Sequence, residues 1–209
     1  MRYQICVSGA AAGETVGSAH DQAFALGAEI ARAGKTLLTG ATVGLPHYAA
    51  MGFMSVKNPK GSSIGFSPAS SFREHVATYR LPTLEFDYIN FTGMEYVGRD
   101  VHLVRSADAV ITVGGRMGSL HELATALESR KVCGVLLGSG GLADYAATLL
   151  KHVEAPGGKD VIFDTDPKRL VAKVVAALDA KYADFHDTGE VRDVLGKANQ
   201  ESKKTSRRG

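Results

Sequence analysis

Glycine and serine crowd one turn of the chain, three residues before an acidic residue. In V-G-G-R-M-G-S-L-H-E, residues 113–122, the turn follows an apolar run and leads into a helical pattern. Glycine lets the backbone approach a ligand closely. The free N–H groups at a helix start favour an anion there, and phosphate is the usual one. The pattern therefore predicts a phosphate site built by Gly114, Gly115, Arg116, Met117, Gly118 and Ser119.

Ser119 and Glu122 also fit a purely structural role. The pattern S-x-x-E is that of a capping box, in which serine and glutamate satisfy the first donors of their own helix. As an N-cap, Ser119 would contribute about 1 kcal/mol to stability. This alternative does not explain why three glycines crowd the turn, so both interpretations stay open at this point.

Two more glycine-rich turns follow apolar runs, S-G-A-A-A-G-E-T from residue 8 and T-G-A-T-V-G-L-P from residue 39. Ligands of open parallel sheets bind outside the carboxyl ends of the strands, so we expect Gly9, Gly40 and Gly44 to contribute to the same site. Neither turn has the spacing of a dinucleotide fingerprint, and the chain contains no G-K-[ST] of a P-loop. Dinucleotide and nucleoside-triphosphatase functions therefore lose their main support.

The elements that must position these turns alternate between strand and helix. Strands are predicted at Y-Q-I-C-V-S-G, K-T-L-L-T-G, S-S-I-G-F-S-P, D-A-V-I-T-V, V-C-G-V-L-L-G-S-G and D-V-I-F-D-T, with helical patterns between and after them. The stretch from the third strand to about Thr92 is polar and poorly patterned. Such alternation predicts an α/β fold with a doubly wound, mostly parallel sheet in a Rossmann-like three-layer sandwich.

Length and charge predict one domain and a tail. The apolar period extends to about residue 184, and residues 185–209 form a polar, basic segment that we predict to be disordered. Of 24 basic and 22 acidic residues, six and four lie in that segment, which leaves 18 of each in the body. A neutral body argues against a nucleic-acid surface.

Other features weigh against export, membrane spans and metal binding. Cys6 and Cys133 lie in predicted strands, as expected of reduced thiols in a cytoplasmic protein. No apolar stretch approaches the roughly 20 residues of a membrane span, and the apolar patch at the start is too short for a signal peptide. His121-Glu122 begins like H-E-x-x-H, but Thr125 occupies the second ligand position. We expect no metal and no cofactor.

The glycine-rich segment resembles the P-G-G-x-G-T-x-x-E motif of the "Lonely Guy" (LOG) phosphoribohydrolases. Gly115, Gly118, Ser119 and Glu122 match it, whereas Gly114 stands for the proline and Arg116 for the second glycine. The family's Arg-Lys pair falls on Arg99 and Asp100, so its lysine is absent. The spacing and the lost lysine are also similar to the molybdenum-cofactor carrier-like branch of the same superfamily.

The resemblance implies a nucleoside 5′-monophosphate with its phosphate on the Gly115–Ser119 turn. LOG enzymes cleave the N-glycosidic bond of such nucleotides and release base and ribose 5-phosphate. Glu122 would stabilise the positive charge on the sugar or activate water, and Arg99 would neutralise phosphate or orient the carboxylate. Arg116 would either contact the phosphate or narrow the entry. Relatives commonly pair through helices beside the site, so a homodimer is expected.

Two rival functions follow from the same fold. A nucleotide or molybdenum-cofactor carrier would bind without turnover, and a single-stranded DNA binder is weakened by the neutral body. Base identity is not readable from the sequence; Phe86, Tyr88, Phe91 and Tyr96 would stack on a base or, more commonly for aromatic residues, pack in the core.

Overall fold

Seven parallel strands form one sheet. The computed structural model describes residues 3–184, so the predicted tail, 185–209, lies outside the described residues. The strands are β1 (Gln4–Gly9), β2 (Thr36–Thr39), β3 (Ser63–Ser67), β4 (Tyr88–Phe91), β5 (Ala109–Val113), β6 (Val132–Leu136) and β7 (Ile162–Asp164). Every strand pairing is parallel, which confirms the predicted sheet.

The strand order β4-β3-β2-β1-β5-β6-β7 creates one reversal point, between β1 and β5. The chain builds the sheet in one direction from β1 to β4 and then returns to add β5, β6 and β7 on the other side. Residues Ile5 to Gly9 of β1 pair in register with Ala109 to Val113 of β5. The loops that follow these two strands diverge to opposite faces of the sheet and leave a crevice between them.

Helices cover both faces of this sheet. They are α1 (Glu14–Arg32), α2 (Leu45–Met54), α3 (Phe72–Ala77), α4 (Glu95–Ser106), α5 (Met117–Glu128), α6 (Gly141–His152) and α7 (Pro167–Lys181), with a 3-10 turn at Gly158–Asp160. Right-handed crossovers place α1 and α2 on one face and α4, α5 and α6 on the other. The core of the second face includes Cys6, Val110, Leu103, Leu123 and Ala146. The three-layer sandwich is therefore confirmed.

The poorly patterned stretch before Thr92 holds two elements that the sequence pattern missed. Helix α3 has only six residues, and β4 has four. β4 is an edge strand whose residues are all at least partly exposed, with Tyr88 62% accessible. A short, half-exposed edge strand carries little apolar periodicity, which explains why it escaped notice.

Both cysteines are buried in strands and neither forms a disulfide, as predicted. Within residues 3–184, no helix combines the length and the apolar character that crossing a membrane requires.

Candidate functional site

A cavity of about 310 Å³ opens at the reversal point of the sheet. Its wall comes from the end of β1, the loops after β1 and β2, the start of α2, α4 and the first turns of α5. The lining residues are Val7, Gly9, Ala10, Ala11, Ala12, Gly40, Thr42, Pro46, Tyr96, Arg99, Asp100, Arg116, Met117, Gly118, Ser119 and Glu122. Both the volume and the mixed apolar and polar wall are typical of small-molecule sites.

The start of α5 presents unpartnered N–H groups to this cavity. The helix begins at Met117 after Arg116, and the first N–H bonded inside this turn is that of Leu120, which donates to the Arg116 carbonyl at 3.0 Å. Among residues 3–184, no acceptor is found for the N–H groups of Met117, Gly118 and Ser119. A Cβ added to Gly118 would meet nothing within 4 Å. The turn therefore offers open space and donors to an anion.

Gly114 and Gly115 shape this turn from behind. Their φ angles of +57° and +109° favour glycine. The Gly114 N–H donates to Ser139 Oγ at 2.7 Å, and the carbonyls of Gly114 and Gly115 accept from the N–H groups of Ala143 and Leu142 at 2.9 and 3.1 Å. Because both carbonyls bond to the start of α6 and the Gly114 N–H bonds to Ser139, these two glycines hold the turn in place, and neither lines the cavity.

The capping-box interpretation is wrong. Arg116 occupies the N-cap position, but its side chain does not cap the helix, and Ser119 already lies inside α5. The buried residues of the helix are Ser119, Glu122, Leu123, Ala126 and Leu127, which is the spacing of a core-facing stripe. Glu122 therefore points toward the sheet and not back to the helix start.

Glu122 meets partners from two other elements. Ser8 Oγ, near the end of β1, donates to Glu122 Oε2. Arg99 Nη1, from α4, donates to Glu122 Oε1 at 3.2 Å. Ser8, Arg99 and Glu122 are each at least 93% buried, so the carboxyl lies in a polar pocket under α4 and α5, with one side open to the cavity.

Arg99 is shared between two carboxyl groups. Its Nη1 also lies 3.0 Å from Asp100 Oδ1, and Asp100 Oδ2 lies 3.1 Å from His121 Nδ1. The guanidinium packs against Gly40, where an added Cβ would lie 2.4 Å from Nη1. Gly40 thus serves the site by making room for Arg99. Arg99 therefore contacts both carboxyls, and its hydrogen bond to Glu122 is the contact that orienting this carboxylate would require.

Burial dominates the electrostatics of Glu122. Loss of solvent raises the pKa of this carboxyl from an ordinary value of 4.5 to about 8; the charge of Arg99 lowers the pKa, and the neighbouring Asp100 raises it. Such a carboxyl exchanges protons near neutral pH, as a catalytic acid or base must. Perturbed groups in a cleft are candidates for function.

Arg116 lines the cavity and contacts a second loop of its wall. Its Nη1 donates to the Ala12 carbonyl at 3.2 Å and so connects the start of α5 to the loop after β1. The cavity beside it remains open, so Arg116 forms part of the wall without filling the entry. Gly44 has a φ of +79°, and its added Cβ would meet the Ala10 carbonyl at 2.4 Å, so it joins two loops and does not line the cavity.

Most of the predicted site residues come together. Gly9, Gly40, Arg99, Arg116, Met117, Gly118, Ser119 and Glu122 line one cavity, whereas Gly44, Gly114 and Gly115 shape its loops. Three residues at or beside the cavity were not predicted from the sequence as site residues: Ser8, Thr42 and His121. Of the four aromatic residues considered for a base, Tyr96 lines the cavity, and its ring stands edge-on to Tyr79 at 5.7 Å. Phe91 packs against Phe72 and His75 instead.

The described part of the chain contains no group of three His, Cys, Asp or Glu side chains arranged to hold a metal ion. The charged groups that line the cavity are the carboxyls of Asp100 and Glu122 and the guanidinium groups of Arg99 and Arg116.

Comparison with known proteins identifies the family. The model of the SLOG cluster4 family matches residues 2–171. The chain belongs to the SLOG cluster4 family. This assignment confirms the predicted place among LOG-like proteins and covers the strands, loops and helices that build the cavity. No curated protein matches the chain.

Solved structures of similar proteins share the fold over nearly their whole length. The molybdenum cofactor binding protein from the bacterium Rippkaea orientalis is 25% identical, with a TM-score of 0.67 over 85% of this SLOG chain and 98% of that one. The Moco carrier protein from Chlamydomonas reinhardtii is 23% identical, with a TM-score of 0.69 over 87% and 99%. The protein TM1055 is 20% identical, with a TM-score of 0.71 over 85% and 99%.

Proposed function

We propose that this protein is a phosphoribohydrolase that cleaves the N-glycosidic bond of a nucleoside 5′-monophosphate. One arrangement carries the proposal: unpartnered amides of α5 and the Glu122 carboxyl face the same cavity. Phosphate would bind the N–H groups of Met117, Gly118 and Ser119, with Arg116 beside it. Membership of a LOG-like family supports the same substrate class.

The reaction needs a base and a fixed negative charge beside the sugar. As the bond between C1′ and the base nitrogen breaks, its electron pair leaves with the base and positive charge builds up on the sugar. Glu122 as carboxylate stabilises that charge and takes one proton from water, whose oxygen bonds to C1′. The departing base takes up a proton from solvent. The products are free base and ribose 5-phosphate.

The substrate test is release of free base from AMP, GMP, CMP and UMP, followed by chromatography at pH 9, where Glu122 is ionised. We expect release from at least one of them, and a loss of at least about a hundredfold in Glu122→Gln, since general base catalysis contributes that much or more. Glu128→Gln, an exposed change on the same helix, is the matched control and should keep its activity. A folded Glu122→Gln protein with full activity would refute the assignment.

The phosphate subsite is tested separately by calorimetry. Arg116→Ala should weaken binding of a nucleoside monophosphate by about tenfold, because it removes one charge-assisted hydrogen bond. The same change should leave binding of the corresponding nucleoside unaltered. An equal loss for both ligands would show that Arg116 does not contact phosphate.

A carrier function is the second candidate, and two observations favour it. Two structural relatives are named for binding or carrying the molybdenum cofactor, and Asp100 replaces the lysine of the LOG pair. Tight binding of a phosphate-bearing ligand without release of base, unchanged in Glu122→Gln, would support the carrier. A homodimer and the lack of nucleic-acid binding remain predictions, to be checked by light scattering and by electrophoretic shift with oligonucleotides.

A further inference from the structure

Two carboxyl groups compete for one guanidinium nitrogen beneath the cavity. Arg99 Nη1 lies 3.0 Å from Asp100 Oδ1 and 3.2 Å from Glu122 Oε1. With Arg99 alone, Glu122 would form a simple buried ion pair, and an ion-paired carboxylate is a weak base. Asp100 takes part of that positive charge and adds a negative one next to Glu122.

The position of Asp100 is itself fixed from the side of α5. His121 precedes Glu122 in the chain, and its Nδ1 lies 3.1 Å from Asp100 Oδ2. Its side chain is 38% exposed, whereas that of Asp100 is 7% exposed. The Asp100 carboxyl is thus held at both oxygens, by Arg99 on one and by His121 on the other.

No other described carboxylate faces Glu122. From β1 it meets Ser8 and, deeper, Cys6; from α4 it meets Arg99 and Asp100; on its own helix the neighbour is His121. Burial raises the pKa of the Cys6 thiol well above its ordinary value, so this thiol is neutral and adds no charge. Asp100 is therefore the group that opposes Arg99.

We propose that Asp100 and His121 are positioning residues for Glu122: Asp100 draws the guanidinium of Arg99 partly away from it, and His121 holds Asp100 there. Glu122 then remains able to take a proton from water. The positioning role in catalysis rests on the proposed function, whereas the effect of Asp100 and His121 on the protonation of Glu122 does not. On this proposal Asp100, which stands where LOG enzymes have a lysine, contributes to the reaction by positioning Glu122.

The first test is the pH dependence of kcat/KM for base release. In the wild type the rate rises with pH as Glu122 ionises, because the carboxylate is the active form. Asp100→Asn should move this rise to lower pH by about one unit, so that the rate at pH 6 relative to the plateau increases about tenfold. A merely structural role for Asp100 would lower the rate at every pH and leave the midpoint in place.

His121 is tested with two substitutions and a control. His121→Ala should move the midpoint in the same direction by about half a unit, which changes the relative rate at pH 6 about threefold. His121→Gln keeps a donor for Asp100 and should stay near the wild type. His102→Ala, an exposed histidine on α4, should behave as the wild type.

A second readout separates this inference from the proposed function. Carbon NMR of the side-chain carboxyls, with the Glu122 signal assigned from Glu122→Gln, gives the protonation midpoint without any substrate. Midpoints that fall in Asp100→Asn and His121→Ala support the inference even if no nucleotide releases its base. If the Glu122 midpoint is the same in these variants as in the wild type, the inference is overturned, whether or not the protein is an enzyme.

Discussion

Replacing Glu122 by glutamine should make the protein more stable at alkaline pH. The pKa of this carboxyl is raised from 4.5 to about 8 in the folded protein, first of all by burial. Between these two values the folded state holds a proton that the unfolded chain has lost, so stability falls as pH rises through this range. Glutamine imitates the protonated carboxyl in shape and has no charge to bury, so the variant escapes that loss.

The size of the effect follows from the two pKa values. One pH unit of difference corresponds to about 1.4 kcal/mol, so the full interval amounts to roughly 5 kcal/mol above pH 8. The two proteins should have similar stability near pH 5, where Glu122 is protonated. At pH 9 the variant should be more stable by several kcal/mol, a large part of the roughly 5–15 kcal/mol that holds a domain together.

Urea unfolding of both proteins at pH 5, 7 and 9 measures this difference directly. Comparison with the variant cancels the titration of all other groups, and Glu128→Gln on the exposed side of α5 controls for a change of net charge. Glu128→Gln should follow the wild type at every pH. If the stability of the wild type instead increases relative to that of Glu122→Gln as pH rises, Arg99 holds Glu122 as a stable ion pair. Glu122 would then be too weak a base for the proposed reaction.

Two further substitutions test the framework. Gly40→Ala would place a Cβ 2.4 Å from Arg99 Nη1, so we expect it to displace Arg99, to reduce base release and to lower stability by about 1–3 kcal/mol. Gly17→Ala is the control: its added Cβ meets nothing within 4 Å, and it should raise stability by about 0.5–1 kcal/mol. Urea unfolding measures both changes in stability. Asp164 accepts from Arg169 and Lys173 at 2.9 and 2.8 Å, which holds its pKa below the ordinary 3.8. Asp164→Asn should therefore lower the melting temperature at pH 7, and the difference from wild type should shrink steadily as pH falls below 3.8. A difference as large at pH 2 as at pH 7 would contradict this.

The fold was predictable because local patterns and topology agree along most of the chain. Buried parallel strands appear as short apolar runs, and each glycine-rich turn marks where a strand gives way to a helix. The elements before Thr92 could not be predicted from local patterns, because α3 and β4 are short and β4 lies at the sheet edge. There the tertiary pairing of β4 with β3 specifies the structure, and local periodicity does not.

The candidate site was predictable in its glycines and in Glu122, but not in the partners of Glu122. Ser8 lies 114 residues away in the chain, and its contact exists only because β1 lies beneath α5. The spacing of Ser119 and Glu122 fits a capping box and a core-facing stripe equally well. What separates them is burial, and the sequence clue was the apolar series Leu123, Ala126 and Leu127 that continues the stripe.

The arrangement of charge in the cavity also fixes which way a nucleotide would enter. Backbone donors and Arg116 lie at the start of α5, whereas Glu122 and Asp100 occupy the wall under α4 with Arg99 already shared between them. When Glu122 is ionised, as the proposed reaction requires, a phosphate placed against that wall would face two carboxylates in a poorly solvated place, where like charges repel most strongly. We therefore expect the phosphate on the turn and the sugar toward Glu122, which is the orientation that the proposed cleavage at C1′ requires.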